Sequence, residues 1–136
     1  MFTVLVAIAA AIAVATLAGW LLTRRSGRVR AVGSASDPGA ADLGLSPGEP
    51  TVVHFSAPWC GPCDRVRRVV EQVCRDLGEV AHVEVDLDAD RAAGRRFSVL
   101  SLPTTLIFDR DGRQRYRTSG VPTAADLRSA LAPLLA

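Results

Sequence analysis

Two cysteines three positions apart, Cys60 and Cys63, enclose Gly61 and Pro62 and follow Trp59. Two intervening residues let both sulfurs meet within one helical turn, so the pair can cycle between dithiol and disulfide. If the pair opens a helix, the first thiol faces unpaired N–H groups and the positive end of the helix dipole, and both favour an anion. The thiolate is the nucleophile of disulfide exchange, so this placement is expected to lower the Cys60 pKa. Cys63, one turn inside and less exposed, can then attack the mixed disulfide from within. The competing use of such a pair is structural zinc, which needs two more Cys or His at ligand spacing. His54 and His82 do not make that second pair, and Cys74 falls on the apolar stripe of the same helix. No metal and no cofactor are expected, so electrons must arrive by thiol exchange.

The elements that position this pair are legible around it. Thr51–Ser56 is an apolar, β-branched run, expected as a buried strand. The helix after Cys60 is expected to run to about Leu77, with Cys63, Val66, Val70, Cys74 and Leu77 on one stripe and Gly78 ending it. Asp64–Arg68 and Glu71–Arg75 are spaced as i,i+4 ion pairs. Val80–Leu87 alternates as a second strand, and Arg91–Phe97 is a short helix. Thr104–Asp109 and Arg113–Ser119 flank Arg110-Asp111-Gly112, a hairpin signal. The last helix starts at Thr123, with Asp126 three residues on as a capping-box-like pair and Leu127, Leu131 and Leu134 as its stripe. The order is β-α-β-α-β-β-α, an α/β domain over residues 50–136.

Upstream lies a different kind of sequence. Phe2 to Leu22 are 21 residues without a charge. At ~1.5 Å per residue this is a helix of ~31 Å, matching a ~30 Å hydrocarbon core. Trp20 falls at one end, and Arg24, Arg25, Arg28 and Arg30 come directly after the run. A cleavable signal peptide carries its basic residues before the apolar run, and here they come after it. Residues 1–23 are therefore expected to be an uncleaved single-pass anchor in the cell membrane. The positive-inside rule places the Arg cluster, and the domain beyond it, in the cytoplasm. Residues 24–49 are a basic juxtamembrane segment and a Gly-, Pro- and Ser-rich flexible linker, with one short helical turn near Ala41–Leu45.

Charge excludes one class of partner. The net charge of +2 over 136 residues is split: residues 1–30 carry four Arg and no acid, residues 31–136 carry 12 Arg and 14 acids. A nucleic-acid binder needs its positive charge on the folded part, so no nucleic acid is expected. With 49% hydrophobic and 22% charged residues the chain is not disordered, and three cysteines are too few for a disulfide-stapled scaffold.

At Trp59-Cys60-Gly61-Pro62-Cys63 the sequence resembles the thioredoxin family, whose active-site signature this is. Leu102-Pro103-Thr104 resembles that family's cis-proline loop, residues 83–88 its third strand, and Gly120 the glycine that faces its site. The resemblance runs from about Pro50 to Leu135. It implies a thioredoxin-like fold, a central mixed sheet flanked by helices, with the first strand and helix of the full fold absent or reduced to residues 31–49. It implies Cys60 as nucleophile and Cys63 as resolving thiol. Trp59, Gly61, Pro62, Leu102, Pro103 and Gly120 would form the groove that holds a substrate chain. The partners implied are disulfide-containing client proteins and a thiol-exchanging electron donor, either a thioredoxin-reductase-like flavoenzyme or a membrane partner; a monomer is expected.

The departures from the family pattern are specific. Where the family usually has a buried Asp, five residues before the Trp, this chain has His54. Where the family usually has a facing Lys, it has Glu84. An acid–base pair with its sides exchanged is one reading; a packed His beside an unrelated Glu is the other. Asp64 stands where Lys is common, and Arg68 where a mid-helix proline is usual. The Gly-Pro pair resembles the reducing members of the family. The function expected is a membrane-tethered protein-disulfide reductase. The alternatives are an exported reductase of extracytoplasmic disulfides, for example in cytochrome c assembly, and a non-catalytic thioredoxin-like tethering module.

Overall fold

The computed structural model describes residues 1–25, 27–33 and 39–136. Part of the 24–49 segment, Ser26 and residues 34–38, lies outside them. Helix α1 spans Phe2–Arg25, and its Thr3–Leu22 stretch, 20 residues of mean hydropathy 2.4, is long and apolar enough to cross a membrane. The remaining elements are β1 (Arg30–Ala31), a 3-10 turn (Ala40–Leu43), β2 (Thr51–Ser56), α2 (Cys63–Leu77), β3 (Ala81–Asp86), α3 (Arg91–Arg96), β4 (Thr104–Phe108), β5 (Gln114–Ser119) and α4 (Ala124–Leu135). From β2 onward the order matches the sequence expectation, with ends shifted by a residue or two. That is where helix and strand ends fray.

Five strands form one mixed sheet in the order β1-β5-β4-β2-β3. β2 is parallel to β3 and antiparallel to β4, and β5 is antiparallel to both β4 and β1. β3 is therefore an edge strand: among the described residues no earlier strand covers it. This agrees with the reduced N-terminal part expected of this chain.

The sheet separates two cores, as the period-2 alternation of β2 requires. Val52 faces α2 and α4, where Val66, Val70, Val73, Leu127, Leu131 and Leu134 are buried. Val53 and Phe55 face the other side, with Phe97, Leu106, Phe108, Ala40 and Leu43. On α2 the innermost stripe uses Val73, while Cys74 and Leu77 sit at its margin. Gly78 closes α2 at φ +76° and donates to the Cys74 carbonyl oxygen at 2.9 Å, a left-handed cap. Thr123 caps α4 as expected, its Oγ1 accepting from the Asp126 N–H at 3.1 Å.

Two features of the upstream segment differ from a flexible tether. Arg30 and Ala31 pair with Arg117 and Tyr116 on β5, and the Val32 N–H donates to the Arg115 carbonyl oxygen at 2.9 Å. Ala40 and Leu43 are buried in the second core, and Asp42 pairs with Arg96 at 2.7 Å. The physical reason is that β5 would otherwise present an unpaired edge, and the α3 side of the sheet has few side chains of its own to cover Phe55. Composition rich in Gly and Pro hid both contacts.

Candidate active site

Cys60 lies in the turn between β2 and α2, its N–H donating to the Ala57 carbonyl oxygen at 3.0 Å. Cys63 is the first residue of α2. Pro62 occupies the N-cap without a side-chain hydrogen bond, and the Cys63 N–H donates to the Cys60 carbonyl oxygen at 3.3 Å. The two sulfurs are joined at 2.04 Å, with the Cα atoms 5.5 Å apart. Cys60 is 8% exposed and Cys63 1%. The outer thiol also lines a cleft with Ser56, Gly61, Asp64, Arg67 and Glu84. Both cysteines are largely covered, Cys60 slightly less than Cys63, where the spacing led to the expectation of an exposed first thiol.

Leu102 packs against Ala57, Cys60 and Cys63. The Leu102–Pro103 peptide is cis, Pro103 is buried, and its carbonyl oxygen accepts from the Gly120 N–H at 2.9 Å. This bond ties the end of β5 to the loop before β4. Trp59 is 71% exposed, its Nε1 lying 3.5 Å from Asp88 Oδ1. Gly61 and Pro62 are exposed beside it.

Beneath the pair, His54 is fully buried on β2, next in the chain to Phe55, whose carbonyl oxygen is 4.0 Å from Cys63 Sγ. The register places His54 opposite Glu84, and His54 Nε2 approaches Glu84 Oε1 at 3.4 Å. His54 and Glu84 therefore do meet, but neither has the other as its strongest partner. Glu84 takes a two-pronged pair from Arg67, Nη2 to Oε1 at 2.6 Å and Nε to Oε2 at 2.8 Å, and accepts from Ser56 Oγ at 2.8 Å. His54 Nδ1 lies 2.8 Å from His82 Nε2, with the rings stacked at 4.9 Å; one imidazole donates and the other accepts. From sequence, His54 and His82 are weighed only as a second ligand pair, and this contact is not foreseen.

Charge follows from these contacts. Arg67 and then Ser56 hold the Glu84 carboxyl down at about 2, against the opposing cost of partial burial. Burial lowers His54 to about 4, outweighing the raising effect of Glu84. Burial lowers His82 as well. Near neutral pH both imidazoles are neutral, and the charged groups beside them are Glu84 and Arg67, the latter also paired with Asp64 at 2.6 Å from Arg67 Nη1. Asp64 thus pairs with Arg67 at i,i+3 and not with Arg68; the Glu71–Arg75 contact is a loose 4.0 Å.

Sequence reasoning missed Arg67, His82 and Ser56. Ser56 and His54 are two apart on β2, and His82 and Glu84 two apart on β3, so alternation puts each couple on one face. What was missing was the β2–β3 register that brings the couples together.

Cys74 is half-buried at the margin of the core, and burial pushes its thiol up to about 11. At pH 7 its thiolate fraction is then ~10⁻⁴, so it should not enter the redox cycle. In the native reduced protein, alkylation of Cys74 should lag that of Cys60 by at least about a hundredfold. Comparable rates, or a Cys74-linked disulfide after mild oxidation, would contradict this.

A strand that delivers two cysteines to the start of a helix, one lining a cleft and one beneath it, defines a thiol–disulfide exchange protein. The sequence model of the family described as Thioredoxin matches residues 44–133. Over 94 residues the chain is 38% identical to a thioredoxin of Mycolicibacterium smegmatis, a match covering 67% of this chain and 83% of that protein. It is 42% identical over 77 residues to protein disulfide-isomerase erp38 of Neurospora crassa, covering 54% of this chain and 21% of that one. Among solved structures it resembles Fasciola hepatica thioredoxin at 33% identity and TM-score 0.57, covering 65% of this chain and 83% of that one. A further resemblance is to chloroplastic thioredoxin z at 29% identity and TM-score 0.60, covering 71% and 84% of the two chains. With its fold, its dithiol and two-thirds of its length matched, this chain belongs to the thioredoxin family and is a thiol–disulfide oxidoreductase.

Proposed function

We propose that the chain is a membrane-tethered protein-disulfide reductase. Residues 1–23 serve as the anchor, residues 24–49 join it to the domain, and residues 50–136 carry the chemistry. The observation that carries this reading is an intact cysteine pair, its first member lining a cleft, on a chain whose N-terminal helix is apolar over 20 residues. The Arg residues just past that helix support a cytoplasmic domain. An intact Cys60 and Cys63 speak against a non-catalytic tethering module, which can lose either thiol freely.

In the reaction, the Cys60 thiolate attacks one sulfur of a client disulfide and a client thiolate leaves. Cys63 then loses its proton and attacks the Cys60 sulfur; the second client thiolate leaves, and the Cys60–Cys63 disulfide forms. Two electrons have passed to the client, and an external dithiol donor resets the pair. Trp59, Gly61, Pro62, Leu102, Pro103 and Gly120 present the surface on which the client chain lies. His54, held by His82 and Glu84, is the candidate acceptor of the Cys63 proton in the second step; with its pKa near about 4 it holds that proton only transiently while Cys63 attacks.

Replacing His54 by Ala should slow resolution about tenfold or more, with mixed-disulfide formation little changed. His54→Asp should recover part of the rate, since it returns the family's usual acid, and Glu84→Gln should slow the same step less. Single-turnover kinetics from Cys60 already linked to a model thiol separates the steps; an unchanged rate in His54→Ala leaves His54 as a packing residue. The tether is tested by membrane fractionation together with a reporter fused at Ala136. Membrane retention with activity in the cytoplasm is expected. A soluble product, or a reporter active only outside, overturns the anchor or its orientation.

A further inference from the structure

We infer that the redox end of the domain is turned toward the bilayer, so that its client is a disulfide held at the membrane surface by a membrane-inserted protein. The inference rests on the dithiol function and the anchor proposed above and adds the direction in which the site faces.

The sheet itself supplies the geometry. Phe55 on β2 pairs with Thr104 on β4, Thr104 pairs with Ser119 on β5, and the Ser119 carbonyl oxygen accepts from the Gly27 N–H at 2.5 Å. Phe55, Thr104, Ser119 and Gly27 thus form one row across the same end of the sheet. Cys60 comes after β2 at that end. At ~4.8 Å per strand, Gly27 stands ~14 Å sideways from Phe55. Arg25, the last residue of α1, is two residues before Gly27 and hence within ~7 Å of it. The chain therefore leaves α1 at the end of the sheet that carries the cysteines.

Gly27 makes this junction specific. Its φ is +88°, and a Cβ there would collide with the Val121 carbonyl oxygen, so only glycine fits. Nor does α1 turn back along the domain, since its Thr3–Leu22 stretch is 0% buried. With that stretch in lipid, the end bearing Gly27 is the end nearest the bilayer.

A second, independent observation agrees. Among the described residues beyond α1, the large exposed apolar side chains are Trp59 and Leu100, at 71% and 95% exposure. Trp59 immediately precedes Cys60, and Leu100 lies in the loop that leads to Pro103, at the same end of the sheet. Exposed Arg28 and Arg30 flank the junction, where anionic headgroups would attract them. A face of this composition suits the headgroup region. The disulfides it can reach are those projecting just beyond a bilayer, and the exchange is the two-electron transfer written above.

Orientation is measured without redox activity, which keeps its failure separate from failure of the dithiol reading. In full chains carrying Cys60→Ser, Cys63→Ser and Cys74→Ala, a spin label is placed by Leu100→Cys at the site end. A second protein carries it by Asp111→Cys in the β4–β5 turn, ~20 Å further along the strands. Both are reconstituted in vesicles containing Ni²⁺-chelating headgroups. Relaxation enhancement is expected to be severalfold greater at position 100 than at 111. Gly27→Val, or a Gly/Ser insert of about a dozen residues after Arg25, should erase the difference. Equal enhancement in the parent, a stronger effect at 111, or failure of the chain to float with the vesicles overturns the inference. With the native cysteines reduced, a peptide disulfide just outside a transmembrane helix should be reduced about tenfold faster than the same peptide free in solution. Equal rates remove the membrane-held client while leaving dithiol exchange intact; no reaction with either peptide removes the dithiol reading itself.

Discussion

Cys63→Ser should accumulate mixed disulfides between Cys60 and client proteins, and Cys60→Ser should form none. The expectation comes from the order of burial: Cys60 lines a surface cleft, while Cys63 opens α2 beneath it. With Cys60 alone, the first exchange proceeds and stops, because the intramolecular thiolate that releases the client is missing. That thiolate acts at an effective concentration far above any external thiol, so its loss should prolong the mixed disulfide by at least about a thousandfold. Ser at position 60 removes the nucleophile, since a hydroxyl does not ionise near neutral pH, and turnover should drop to background. Non-reducing gels with mass-spectrometric assignment of the linked cysteine measure both outcomes. Parental turnover in Cys63→Ser, or clients linked to Cys63 in the wild-type protein, would contradict the assigned order.

The buried imidazole should make the domain acid-sensitive well above the carboxylate range. His54 takes a proton near its ordinary 6.5 when unfolded but only near about 4 when folded. As pH falls through this window the unfolded chain binds more protons than the native one, so stability is fully present above about 6.5 and declines toward about 4. The full shift corresponds to ~3 kcal/mol, a large part of a small domain's margin. His82 shifts in the same direction and adds to the loss. Glu84, held at about 2 by Arg67, acts in a lower window: its contribution is lost only as pH falls from its ordinary 4.5 toward 2. Urea unfolding of the detergent-solubilised protein near pH 7 and near pH 5 should show a loss of ~2 kcal/mol or more. In His54→Gln that loss should shrink to the His82 part. Equal stability at the two values would mean that His54 is protonated, or solvated, in the native state.

Legibility of the sequence tracked the range of the interactions. Local signals carried far: Trp59 through Cys63, the Thr123 cap, the Arg110–Gly112 turn and the alternation on β2 and β3 all depend on residues a few positions apart. The apolar helix was legible because lipid imposes a length and a composition. Hidden features depend on register and on contacts between distant segments. His82 meets His54 across 28 positions, and Arg67 reaches Glu84 across 17. Alternation assigned their faces but not which strand lay beside which residue. Ala40 and Leu43 were hidden differently, since Gly- and Pro-rich surroundings resemble a linker whether or not single apolar residues dock. The opposing pulls of burial and Glu84 on the His54 imidazole could be named from sequence, but their balance depends on its full burial, which no local pattern shows.

Reduction of protein disulfides through Cys60, with the N-terminal helix in place, is tested most directly by one rate. The wild-type protein is reconstituted in vesicles and supplied with dithiothreitol, and its reduction of a peptide disulfide anchored at the bilayer is measured with Cys60→Ser beside it. The expected result is turnover at least about a hundredfold above dithiothreitol alone for wild type, and none above background for the variant. Wild-type and Cys60→Ser proteins giving the same rate would contradict it.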